Sequence, residues 1–245
     1  MSMNKPEIIA RLRGDLEAVI AERSKAKADP AVNAARIALR EFQAQRMART
    51  HADLLSDRAT GPAARFFLSD LYGPHDLTRR DVDLERVLPS MERLLPVAAL
   101  EAVAEAVALD ALSEKLDAGM AERLGEEFTE DDYIAAYRKV GKRGDRERQL
   151  AQVESVGSAL CELVRVPLIG STLAMMRGPA KLAGLTELHS FLERGFKAFK
   201  GTGRPQDFVT TIIQRERRIM DALYDAGSKP FSVFSTSNQP CVESA

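Results

Sequence analysis

The sequence predicts an all-α fold: a single irregular multi-helix bundle of about eight to ten helices with a disordered C-terminal tail. Three observations predict it. Apolar residues recur at spacings of three and four along nearly the whole chain, and no stretch alternates as a strand would. Thirty-five of the 245 residues are Ala, aromatics make up 6% and Trp is absent, a composition that favours helices. Asp-Pro, Gly-Pro and Thr-x-x-Asp signals stand where the periodic segments begin.

The first helix is expected from about Lys5 to Ala28, with Ile8, Ile9, Leu12, Leu16, Val19 and Ile20 on one stripe. Asp29-Pro30 reads as an N-cap followed by Pro in the first turn, opening a second helix to about Ser56. The short connection makes the two an antiparallel hairpin (residues 1–59), packed with the core or standing out as an arm. Gly61-Pro62 opens a short helix, and Thr78 with Asp81 has capping-box spacing for another, bent near Pro89. Pro96 precedes the longest periodic run, to about Leu124, and Thr129 with Asp132 forms a second capping box. A helix from about Arg146 stops at Pro167, and residues 168–184, holding Gly170, Gly178, Pro179 and Gly184, read as a broken apolar region. Two helices, near 185–200 and 207–226, complete a core spanning 60–226. From 227 to 245 the chain turns to Ser, Thr, Asn and Pro and reads as a flexible tail.

Composition excludes several classes. A net charge of −1 argues against specific nucleic-acid binding. The apolar run 94–112 is interrupted by Glu101, Glu105 and Asp110, and 166–176 is too short, so no transmembrane span is expected. The two cysteines, Cys161 and Cys241, build neither a disulfide framework nor a zinc site, and a cytoplasmic location follows as the expectation. Cys161, between Leu160 and Leu163, reads as a small core residue. No metal or cofactor is expected. A di-iron bundle needs Glu three residues before His, but Ala48, Tyr72 and Thr186 stand there before His51, His75 and His189.

The run Phe66-Phe67-Leu68-Ser69-Asp70-Leu71-Tyr72-Gly73-Pro74 resembles a bacterial all-α family of unknown function. So do Arg80-Asp81-Val82-Asp83-Leu84, Arg86-Val87-Leu88-Pro89, Ala136-Tyr137-Arg138, Met176-Arg177-Gly178-Pro179-Ala180 and Phe191-Leu192-Glu193-Arg194-Gly195-Phe196. The resemblance covers most of residues 60–226 and implies an all-α protein, with no activity attached.

Three sets of residues carry the functional expectation. Asp70 and Tyr72, between an apolar block and a Gly-Pro turn, are candidate proton-handling groups or a satisfied pair holding the turn. Charge is segregated: residues 97–132 carry a net −9, 133–148 a net +4 and 194–218 a net +5. The acidic and basic helices either pair with one another or leave a basic face for an anionic partner. That face includes Lys139, Arg143, Arg194 and Lys197, with Lys142 and Lys200 beside them. Asp81 is read as a helix cap, with Asp83 pairing to Arg79 and Arg86. Arg165 and Arg177 bracket Met175 and Met176 and would stand at the mouth of an apolar slot suited to an anionic amphiphile. The expectation is a non-enzymatic binding or regulatory protein, homodimeric, acting through its N-terminal hairpin and Arg-rich face on a protein or anionic partner. The alternative is an all-α enzyme or carrier with that apolar pocket.

Overall fold

The structure, a computed structural model, describes residues 3–68, 77–225, 227, 230 and 231. Helix α1 spans Lys5–Ala28, where Asn4 accepts the Glu7 N–H at 3.0 Å and donates its own N–H to the Glu7 carboxylate at 2.8 Å. Asp29 caps α2, Pro30–Thr50, by accepting the Ala31 N–H at 2.9 Å. The second helix does not run on to Ser56 as expected. His51 leaves helical geometry to put its ring on Glu216, and α3 restarts at Ala52–Ser56, followed by α4 at Gly61–Phe66.

Helix α5 covers Thr78–Leu94 and contains Pro89. The expected capping box is absent there: Leu77 is the N-cap, Thr78 accepts the Lys27 ammonium at 2.6 Å, and Asp81 is buried among arginines. Helix α6 spans Val97–Leu124. The Thr129–Asp132 capping box opens α7, Glu130–Lys139, and α8 follows at Arg143–Leu163. The region expected to be broken folds as α9, Ile169–Leu182, with Pro179 inside it. The helix tolerates that proline because the Met175 carbonyl, which loses its partner, belongs to an exposed residue. Helices α10, Thr186–Lys200, and α11, Pro205–Tyr224, finish an all-helical fold with no strand among the described residues.

Three apolar clusters hold these helices. Ile8, Leu12 and Leu16 of α1 meet Leu88 of α5 and Leu100 and Val107 of α6. Leu39 of α2, Met120 of α6, Tyr133 of α7 and Ile219 of α11 form the second. Phe66 of α4, Cys161 of α8, Phe199 of α10 and Phe208 of α11 form the third. Helix α6 therefore serves two clusters and α11 serves two, which ties the set together. The hairpin is not an arm, since Ile8, Leu12 and Leu39 have no exposed surface. Gly157 lets α8 approach α11, because a Cβ there would meet Val209 at 2.8 Å.

The C-terminal segment is not wholly detached. Pro230 is fully buried and the Phe231 ring lies 6.2 Å from Phe42 and 6.0 Å from Tyr133. Residues 228, 229 and 232–245 of the expected tail lie outside the described residues, as do Asp70, Tyr72 and His75.

Candidate docking face

Where α1, α2, α5 and α6 meet, buried arginines and carboxylates answer one another. Arg23 continues the buried stripe of α1, four residues after Val19, and is 8% exposed. Its guanidinium donates to Asp81 of α5, to Asp110 of α6 at 2.7 Å and to Glu114 of α6 at 3.0 Å. Arg80 bonds Asp81 at 2.9 Å and Asp110 at 2.7 Å, while Arg36 and Arg40 of α2 converge on Glu114, the latter at 2.6 Å. Burial lowers the pKa of Arg36 and Arg40, and for Arg36 the neighbouring Arg40 lowers it further. Four arginines on three carboxylates leave no acid open to a ligand, and among the described residues no group of His, Cys, Asp and Glu could hold a metal ion. The acidic α6 is thus paired inside the molecule, but with the hairpin's arginines. The basic stretch after it plays no part in the cluster.

A second buried set joins α2 to α11. Glu216 accepts Arg46 at 2.6 Å and contacts His51 Nε2 at 2.9 Å. Burial alone would raise its pKa, yet Arg46 and His51 prevail and hold it down at about 2. Nearby, the buried Arg146 guanidinium stacks 4.3 Å over Tyr137, whose hydroxyl pKa burial pushes up. Cys161 is fully buried in the third cluster, its thiol pKa raised by burial, as a core residue's would be.

The single basic face does not form. Lys139 ends α7 and Arg143 opens α8, where Arg143 bonds Glu147 at 2.9 Å and lies 5.6 Å over Tyr224. Arg194 and Lys197 belong to α10, which reaches the other end of α8, about 30 Å away by helical rise. Lys197 contacts Glu193 at 3.3 Å, and Arg177 donates to the same carboxylate, lowering its pKa.

Nor do Met175 and Met176 line a slot. A shallow cleft of about 290 Å³ does lie beside Arg165, but Val164, Phe199, Lys200, Arg204 and Pro205 complete it. Arg165 itself bonds Glu162 at 2.8 Å on the surface. The methionines instead stand outside, on the free face of α9. Leu168, Met175 and Leu182, seven residues apart, are 78%, 71% and 92% exposed. Of eleven exposed large apolar side chains among the described residues, seven lie between 163 and 192, so the patch is concentrated.

The other face of α9 packs on α10. Gly170 sits where a Cβ would meet Phe196 at 2.9 Å, Ala180 is buried, and His189 Nε2 lies 2.7 Å from the Leu173 carbonyl oxygen. The helix is therefore docked along one side and bare along the other. Leu168 precedes it at φ 70°, the only positive φ outside glycine among the described residues. A leucine there costs about 1 kcal/mol relative to a residue that tolerates the left-handed region. Its side chain, 78% exposed, recovers little of that by packing. Sequence reading found these residues by their composition but folded them inward. It missed Arg23, Arg36, Glu114 and the core role of Asp81. The available signal was charge standing on an apolar stripe: Glu114 is seven residues from both buried Val107 and buried Ala121.

No curated protein and no solved structure matches the chain. One family model does, over residues 22–230, and it is described as a domain of unknown function, DUF8198. That span takes in α2 to α11 whole, including the buried charges and the exposed helix, and the chain belongs to the DUF8198 family.

Proposed function

We propose that this is a non-enzymatic helical binding protein and that α9 is its docking face. One observation carries the reading: an ordered helix, anchored through Gly170, Ala180 and the Leu173 carbonyl, holds an apolar ridge of Leu168, Met175 and Leu182 in solvent. Large apolar side chains gathered on one exposed helix, rather than scattered singly, mark an interaction surface. The strained Leu168 supports the same reading, since conformational cost and exposure fall on one side chain. Methionines on such a face adapt to a partner's shape. Arg165 and Arg177, placed by the sequence at a pocket mouth, flank this ridge instead, each paired with a glutamate, Glu162 and Glu193.

The test separates docking from folding. The variant Leu168→Asn, Met175→Gln, Leu182→Gln removes the ridge and gives position 168 a residue that tolerates its φ. It should melt within about 1 kcal/mol of the parent, or above it, and lose binding of an apolar fluorescent dye. A variant that melts several kcal/mol lower would make the ridge part of the core and defeat the reading.

A further inference from the structure

We infer that the occupant of the α9 face is an anionic lipid surface, on which the helix lies with its ridge among the acyl chains. This rests on the docking reading above and names its partner. Charge is the first argument. Residues 162–207, which include the acids paired with Arg165 and Arg204, hold seven Lys and Arg against four acids, a net +3, while the remainder of the chain carries −4. Helix α9 itself contains Arg177 and Lys181 and no acid. Apolar residues on the outer line with cations at the flanks are the arrangement of an interfacial helix.

Shape is the second argument. Met175 and Leu182 stand seven residues apart on a 14-residue helix about 21 Å long, and Leu168 projects from the turn before it, so the apolar surface is convex. A ridge enters a deformable surface readily, whereas a rigid protein would have to bring a matching groove. A second copy is disfavoured on area and on charge. Three side chains offer less surface than the about 800 Å² per partner of a stable interface, and two copies of a net-positive face repel one another. Among the described residues no helix is long and apolar enough to cross a membrane, so the association is with one leaflet's surface.

The full chain is sedimented with vesicles of phosphatidylcholine alone and with vesicles containing phosphatidylglycerol. It should pellet with the anionic vesicles, remain in solution with the neutral ones, and dissociate as salt is raised. The ridge variant should bind on the order of tenfold more weakly or not at all, and Arg177→Gln with Lys181→Gln should weaken binding and flatten its salt dependence. Equal binding to neutral vesicles, or undiminished binding by the ridge variant, overturns the inference. So does failure to pellet. If the parent then still binds the apolar dye through the ridge, docking stands and lipid falls. A native mass of two copies that drops to one in the ridge variant would give the face to a second copy instead.

Discussion

The two ends of this chain treat polarity in opposite ways. In the N-terminal half, charge lies inside: Arg23, Asp81 and Glu114 occupy positions that helical spacing reserves for apolar residues, and each meets a partner of opposite sign. Around α9, the apolar side chains of Leu168, Met175 and Leu182 lie mostly in solvent. Breaking a buried ion pair strands a desolvated charge, so the first region should be intolerant of change. An exposed ridge contributes little to its own fold, so the second should be tolerant. Both depart from the usual pattern, but only the second leaves surface for a partner.

The largest effect is expected at Glu114. Glu114→Gln keeps the shape but withdraws charge from Arg23, Arg36 and Arg40, and should cost about 3–5 kcal/mol, read as a denaturant midpoint or a melting temperature lower by roughly 10 °C. A loss below about 1 kcal/mol would mean that water serves these arginines equally well and that the two regions are less different than they look.

Acid should act next. Glu216 titrates near 2 in the folded protein, below its ordinary value of 4.5, so its contribution is complete above about pH 4.5 and is lost as pH falls toward 2. The shift corresponds to stability on the order of 3 kcal/mol. Melts across that window should fall steeply for the parent and less steeply for Glu216→Gln; parallel curves would remove Glu216 from the account. The ridge variant is expected to change stability least.

Local structure was legible where the signal was local. Lys5 to Ala28 and the Thr129 capping box could be read because the residues that decide them are neighbours. Thr78 shows the limit: its spacing to Asp81 is right for a cap, but Arg23, 58 residues away, claims the carboxylate. The other partners of Arg23 are 87 and 91 positions distant, and no periodicity reports such pairs. Residues 168–184 read as apolar, bracketed by Arg165 and Arg177 and interrupted by Gly and Pro. Whether such a segment lines a cavity or faces water depends on what packs behind it, and here Gly170 against Phe196 fixes that. Asp70 and Tyr72 lie outside the described residues.

The most direct measurement uses the absence of tryptophan from the chain. Met175→Trp places one indole on the ridge, and Leu94→Trp places one on α5, at a residue also 71% exposed but away from α9. With phosphatidylglycerol vesicles the emission of Met175→Trp should shift to the blue and lose quenching by aqueous iodide, while Leu94→Trp stays unchanged. No shift at position 175, or an equal shift at both positions, would contradict the assignment of α9 as the face that meets an anionic surface.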